Sequence, residues 1–205
     1  MLRIRHDNAP GVDVMEFLTG MSDRDAMMLT AFANCLRAKD DYTYQHCENV
    51  AHHCMGMAKK MGLSDHSRRS LCVAAYLHDI GKIGIGDSIL KKAGSLSDDE
   101  YQLVCRHPVV GEDMVSFLPD FTSAAKIIRH HHERCDGMGY PDKLCAGDIP
   151  SEAKIIAVAD AFDAMTTRGY GGKAKTKQEA LDEIIRCAGK QFDAEIADSF
   201  IHIIN

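Results

Sequence analysis

Three consecutive imidazoles, His130-His131-His132, stand just ahead of the glycine-rich stretch Gly137-Met138-Gly139-Tyr140-Pro141. A histidine triplet is poor core material, because each ring carries two polar nitrogens that need partners when buried. Imidazole is also the commonest metal ligand among side chains, so the triplet raises the question of further donors. His78-Asp79 ends an apolar stripe of Leu71, Ala74, Ala75 and Leu77, just before Gly81. His131-His132 ends a similar stripe of Ala124, Ala125, Ile127 and Ile128. Neighbours in mid-helix diverge by about 100°, whereas at a helix end the chain can turn both into one cavity. His46 falls in the first turns of a helix, and His107 precedes Pro108 at a helix break. Asp160 sits within Ile155-Ile156-Ala157-Val158-Ala159-Asp160-Ala161-Phe162. A lone carboxylate buried there costs several kcal/mol unless a cation compensates it.

Together these are five histidines and two aspartates, more than one ion takes from protein, so they point to two metals, with Asp79 available as a bridge. Two ions roughly 3.5–4 Å apart clamp the attacking and leaving oxygens of a phosphoryl centre, and metal binding lowers the pKa of water to around 7. Nitrogen and oxygen donors suit iron, manganese and zinc. Other candidates carry plainer expectations. His130 points away from His131 and is expected to hydrogen-bond, His53 to pack in a core or interface, and His66 and His202 to lie at the surface. Asp163 shares a face with Asp160, where it would orient a ligand or serve as a capping or solvated residue. Cys135 is read as a bystander. The dipeptide His6-Asp7 lies in an irregular arm and shows that a His-Asp pair alone proves nothing.

The elements that must position these groups read as helix after helix. Ser22 and Asp25 suggest a cap, followed by a stripe of Met28, Leu29, Phe32 and Leu36. A second helix from about Tyr42 to Met61 carries Val50, Cys54, Met57, Ala58 and Met61 on its buried side and stops at Gly62. A third runs from Ser64 or Asp65 to His78. Ser97 with Glu100 forms a capping box, and Pro108 suits a first helical position. Further helices are expected over 121–133, 150–167, 176–189 and 193–204, with 134–149 as loop. No run of alternating β-branched residues appears. The fold class is therefore all-α: one helical bundle of roughly seven to nine helices, with residues 1–20 as an arm or short helix, 21–40 as a helix packing on the domain, and 41–205 as the domain itself.

At 205 residues, with 45% hydrophobic and 26% charged residues, the chain is an ordinary globular domain. A net charge of −6 argues against a general affinity for DNA or RNA duplexes or for a membrane surface. Eight cysteines without a CxxC pair fit free thiols in a reducing cytoplasm. No signal-peptide pattern or membrane-length apolar run is present.

The same residues in this order resemble the HD-GYP family, a subgroup of the HD metal-dependent phosphohydrolases. The likeness covers about residues 40–201. It is carried by Asp41-Tyr42-Thr43 ahead of His46, His78-Asp79-Ile80-Gly81-Lys82-Ile83-Gly84, His107-Pro108 and His131-His132-Glu133. It continues through Asp136-Gly137-Met138-Gly139-Tyr140-Pro141, Asp160-Ala161-Phe162-Asp163-Ala164 and Gln191-Phe192-Asp193. The resemblance implies an HD-type helical bundle and hydrolysis of the 3′–5′ phosphodiester bonds of cyclic di-GMP by a hydroxide bridging two divalent ions. Iron or manganese is favoured, with zinc as the alternative. One ion would take His46, His78, Asp79 and Asp160, the other Asp79, His107, His131 and His132. Asp79 and Lys82 would carry the catalysis. Lys82, Gly139, Tyr140, Pro141, Arg168 and Lys173 would meet substrate.

Two departures from the family pattern bear on function. Members with a third metal carry glutamate where this chain has Tyr42, so a dinuclear centre is expected. Many members carry a basic stretch after the Asp-x-x-Asp segment, and Gly169 and Gly172 fall where its arginines would stand, next to Arg168 and Lys173. A metal-loaded module that binds a nucleotide or signalling partner with little catalysis is therefore the main alternative, and an HD-type diiron oxygenase a further one. A signalling protein or a second copy of the chain are the other partners considered. The residues ahead of the match are too few for the receiver or sensory domain that usually precedes such domains, leaving a stand-alone protein or an excised domain.

Overall fold

Several helices begin where a side chain caps their free backbone N–H groups. The computed structural model describes residues 21–167 and 173–204. Helix α1 (Asp23–Lys39) opens with Ser22 Oγ accepting the Asp25 N–H at 3.1 Å, and α2 (Asp41–Lys60) with Asp40 Oδ2 accepting the Thr43 N–H at 3.0 Å. Such caps contribute about 1 kcal/mol each. Gly62, at φ +64°, takes the left-handed conformation that ends α2. Helix α3 (Asp65–Leu77) leads into a 3-10 turn at Ile80–Gly84 and a single-turn α4 (Asp87–Leu90). A reciprocal Ser97–Glu100 capping box opens α5 (Asp98–Val104), and Pro108 lies in the first turn of α6 (His107–Val115). A 3-10 turn at Pro119–Phe121 leads to α7 (Thr122–His130), then come α8 (Ser151–Thr167), α9 (Lys177–Cys187) and α10 (Ala194–Ile204).

Helix α2 is the hub, packed on α3 and α8, with α1 and α10 at its flanks. Helix α7 lies against both α3 and α6, and α6 rests on the Ile80–Gly84 turn. One core runs through the assembly and includes Leu36, Val50, Met55, Leu71, Leu77, Ile128, Ile155 and Phe200. Burying a side chain of this size contributes about 1.5–3 kcal/mol, so the core holds the helix ends in place against unfavourable contacts made there. Helix α1 joins that core through Leu29, Ala33 and Leu36.

The all-α expectation is met: among the described residues there is no strand, only the isolated bridges Asp136–Cys145 and Ala188–Phe192. None of the described helices is long and apolar enough to cross a membrane. Cys54 and Cys72 are buried, and all eight cysteines are free thiols. Two expectations need correction. Met61 is exposed rather than buried, because it is the C-cap residue from which Gly62 turns the chain away. The helix expected over 121–133 spans Thr122–His130 and gives way to a turn at the histidine triplet. Residues 1–20, Arg168, Gly169 and Gly172 lie outside the described residues.

His53, on α2, meets Phe162 and Phe200 edge-on, with ring centroids 5.3 and 5.8 Å away. Burial lowers its pKa from 6.5 to about 4; the nearby Asp163 charge opposes this shift and His52 adds to it. The folded chain thus keeps His53 neutral where the unfolded chain would protonate it. The stabilisation is complete above pH 6.5 and is lost as pH falls towards 4. For one proton this amounts to at most about 1.4 kcal/mol per pH unit. Urea midpoints of metal-stripped protein are expected to drop more between about pH 7 and about pH 5 in wild type than in His53→Leu. Equal drops would rule this out.

Candidate metal centre

Three of the candidate ligands are aimed by one device. His78 Nδ1 lies 2.8 Å from the Ala75 carbonyl oxygen, His107 Nδ1 2.7 Å from that of Val104, and His131 Nδ1 2.6 Å from that of Ile128. Each acceptor is three residues back, in the last turn of the preceding helix, where backbone donors run out. An Nδ1–H that donates there leaves Nε2 as a bare acceptor facing away from the helix end. His46 uses a different partner: its Nδ1 is 2.6 Å from Asp163 Oδ2.

The acceptors so aimed converge. His107 Nε2 and His131 Nε2 are 3.3 Å apart. With both Nδ1 protons committed to carbonyls and both rings neutral, no proton lies between these nitrogens. His107 Nε2 is also 3.3 Å from Asp79 Oδ1, and His78 Nε2 is 3.6 Å from Asp79 Oδ2. Asp79 is fully buried, and both its Oδ1 and His78 Nε2 lack a hydrogen-bond partner. Each such orphan costs about 1–3 kcal/mol. Facing lone pairs and orphaned acceptors in a closed site are what a cation resolves. The donor atoms form two groups, His46 with His78 and Asp79, and His107 with His131 and His132, each within 4.8 Å. Asp160 reaches towards both, with Oδ1 2.9 Å from His46 Nε2 and Oδ2 3.9 Å from His132 Nδ1. The cluster therefore fits metal.

The electrostatics follow from burial and from these neighbours. Burial lowers His107 to about 3 and His132 to about 4, and it pushes His78 and His131 down as well. Burial alone would raise Asp79, but the Lys82 ammonium and then His78 and His107 hold it well below the carboxylate range. Asp160 is likewise held low against burial, chiefly by His46. His46 is the exception among the histidines: hydrogen bonds to Asp160 and Asp163 overcome burial and push it up to about 10.

The rim residues take distinct places. Lys82 Nζ is 2.6 Å from Asp79 Oδ2 while its side chain stays 23% exposed, so a fixed cation reaches the surface beside the cluster. The Tyr140 ring lies over His132 with centroids 4.8 Å apart. Gly139 is buried, and a Cβ there would lie 2.4 Å from the Arg134 nitrogen, which makes it a packing contact. Pro141 is partly exposed behind the Tyr140-Pro141 cis peptide, and Lys173 is exposed. His130 donates no ligand; it pairs with Asp142 at 3.1 Å. His66 and His202 are exposed, as expected, and Cys135 belongs to neither donor group.

Other residues matter that were not singled out as site residues. Buried Glu133 accepts the Asp142 N–H at 2.6 Å and the Leu144 N–H at 3.0 Å, tying the glycine-rich loop beneath the triplet. Arg129 grips Asp142 with two nitrogens and Glu112 with a third. The signal for Glu133 was its place directly after the triplet; nothing in its neighbours marked it as buried.

Comparison with known proteins agrees with this geometry. The HD domain family model matches residues 30–196. A cyclic di-GMP phosphodiesterase response regulator of Xanthomonas campestris is 37% identical over 88% of this chain and 48% of its own length. A 3′3′-cGAMP-specific phosphodiesterase of Vibrio cholerae is 38% identical over 68% of this chain and 30% of its own. The chain thus spans about half or less of these relatives. The solved structure of an HDGYP protein from Bdellovibrio bacteriovorus shares the fold with a TM-score of 0.65 and 23% identity, over 78% of this chain and 51% of that one. These matches bear out the resemblance carried by the motifs.

One glycine joins fold to site. A Cβ on Gly81 would lie 2.0 Å from the His107 carbonyl oxygen and 2.8 Å from the Gly111 nitrogen, so the Ile80–Gly84 turn closes on α6 only without a side chain. Gly81→Ala is expected to destabilise by about 1–3 kcal/mol and to lower metal content by displacing His107. An unchanged melting midpoint with full metal content would contradict this.

Proposed function

Because the chain belongs to the HD domain family and its donor atoms form two adjoining groups around one buried carboxylate, we propose that it is a metal-dependent phosphodiesterase. Its substrate on this reading is a cyclic dinucleotide, cyclic di-GMP first, cleaved at a 3′–5′ phosphodiester bond. The observation that carries the proposal is Asp79, buried with an orphaned oxygen among inward-facing imidazoles. His46, His78, Asp79 and Asp160 would hold one divalent ion, and Asp79, His107, His131 and His132 the other. Iron or manganese suits these donors, with zinc as the alternative. Tyr42 offers no carboxylate for a third; its hydroxyl is 3.3 Å from Thr167 Oγ1.

When bound, such ions supply Lewis-acid charge and a water of lowered pKa. The chain's own groups do the rest. Lys82, fixed by Asp79, presents a cation to a non-bridging phosphate oxygen and stabilises charge developing there. Tyr140 braces His132 by ring contact, and the Glu133-anchored loop holds Tyr140 in place. Arg168 and Lys173 would meet the second phosphate of the ring, adding positive charge to that of Lys82. The proposed setting is the cytoplasm, where eight free thiols stay reduced. A second copy of the chain or a signalling protein would be its macromolecular partner.

The glycines at 169 and 172 support a second reading, a metal-loaded module that binds the dinucleotide with little turnover. One experiment separates the two. Anaerobically purified protein is expected to carry two divalent ions per chain and to linearise cyclic di-GMP within a panel of cyclic dinucleotides. Asp79→Ala should lose metal and turnover together, and Lys82→Ala should keep the metal while losing roughly 10²-fold in kcat. Binding without hydrolysis would establish the second reading, and turnover retained in Asp79→Ala would refute the metal assignment.

A further inference from the structure

We propose that Asp163 is a positioning residue that makes the two halves of the centre unequal, so that the half built on His46 holds its ion more tightly than the three-histidine half. The inference rests on the metal-centre reading above. It starts from the partners behind four of the five candidate imidazoles; the fifth, His132, has its Nδ1 3.9 Å from Asp160 Oδ2, beyond hydrogen-bond range. His78, His107 and His131 each give Nδ1–H to a neutral backbone carbonyl. His46 alone gives it to a carboxylate, Asp163 Oδ2 at 2.6 Å. An anionic acceptor fixes the ring and makes Nε2 a stronger donor to a cation than a carbonyl does.

Asp163 is itself held for that task. It is 3% exposed, and its other oxygen accepts from Asn49 Nδ2 at 2.9 Å. Thr167 Oγ1 lies 3.4 Å from Oδ2, although it gives its shorter bond, 2.7 Å, to the Asp163 carbonyl. The arrangement is a clamp between two helices. On α2, His46 and Asn49 are three residues apart; on α8, so are Asp160 and Asp163. Both oxygens of Asp163 are engaged by neighbours, and it belongs to neither donor group, so it acts through His46.

Charge points the same way. Around His46 stand Asp160 at 2.9 Å and Asp163 at 2.6 Å, in addition to Asp79 in the same donor group. The group of His107, His131 and His132 has neutral donors, with Asp79 beside His107 at 3.3 Å and Asp160 beside His132 at 3.9 Å. A divalent ion therefore meets more negative charge, and a better-fixed imidazole, in the His46 half.

The test is a manganese(II) titration of chelator-stripped protein, followed by the electron paramagnetic resonance of free manganese. Wild type is expected to bind in two steps of unequal affinity. Asp163→Asn, which keeps the shape and removes the charge, should weaken the tighter step about 10–100-fold and leave the other unchanged. His46→Ala should lose the same step, and adding Asp163→Asn to it should cause no further change. Should Asp163→Asn fail to fold, His131→Ala against His46→Ala decides: the tighter step must survive in the first and disappear in the second. The reverse order overturns the proposal, as do unchanged steps in a folded Asp163→Asn. A merely structural Asp163 would lower the melting midpoint of the stripped protein and leave both steps intact, which also overturns it. Wild type that binds no manganese overturns the metal-centre reading instead, and this inference with it.

Discussion

A histidine at the end of a helix can give its Nδ1 proton to a carbonyl that the helix no longer satisfies, and the centre of this protein depends on that bond. Made at His78, His107 and His131, it settles three questions at once. It satisfies a terminal carbonyl, selects the tautomer, and turns Nε2 inward. The rest of the fold serves to bring these helix ends to one point. The contact of α2 with α3 and α8, and of α7 with α3 and α6, leaves the imidazoles of separate elements with ring centroids about 5 Å apart, as at His46–His78 (5.2 Å) and His78–His131 (5.1 Å).

That convergence is unfavourable in itself. Bare nitrogens 3.3 Å apart and a fully buried carboxylate with an orphaned oxygen are tolerated only because the core around them is large and apolar. Leu71 and Leu77 lie in the helix that ends at His78, Ile128 in the one that ends at His131, and Ile155 in the helix of Asp160, so hydrophobic burial and donor placement are achieved by the same segments. A cation held there would reverse the sign of the electrostatic contribution. Metal binding and folding are then linked, and an ion that binds only the folded chain stabilises it by RT ln(1 + [L]/Kd).

How much of this was legible in the sequence depended on whether a signal was local. Helix ends are local, so the stripes leading to His78-Asp79 and His131-His132 announced both the helix ends and the donor side chains gathered there, and the Ser97–Glu100 box marked a start. His130 was separable from its neighbours because a step of one residue turns the side chain aside, and it pairs with Asp142 instead. Contacts between distant segments were not legible. Nothing near Gly81 reveals that the His107 carbonyl oxygen would lie 2.0 Å from a Cβ, and nothing near Glu133 reveals that two loop N–H groups converge on its carboxylate. Asp163 lay between these cases. Its spacing from Asp160 placed it on the right face, but a ligand-orienting role and a solvated one were equally compatible until α2 supplied His46 and Asn49.

Asp163 also gives a reason why the two ion positions proposed around Asp79 would not be alike. A carbonyl behind an imidazole costs the chain nothing extra, since a helix end supplies it. A carboxylate must itself be buried, and burial of an anion is tolerated only with enough donors. Asp163 has His46 and Asn49 on α2, three residues apart, so one helix face provides both. No described hydrogen bond gives the Nδ1 of His107 or His131 a carboxylate; their partners are carbonyls in the last turns of α5 and α7. The inequality of the two halves therefore follows from topology. His46, facing a long helix, recruits a carboxylate in hydrogen-bond range, whereas His107 and His131, on short helix ends, lean on backbone carbonyls, and His132 Nδ1 has Asp160 Oδ2 only at 3.9 Å.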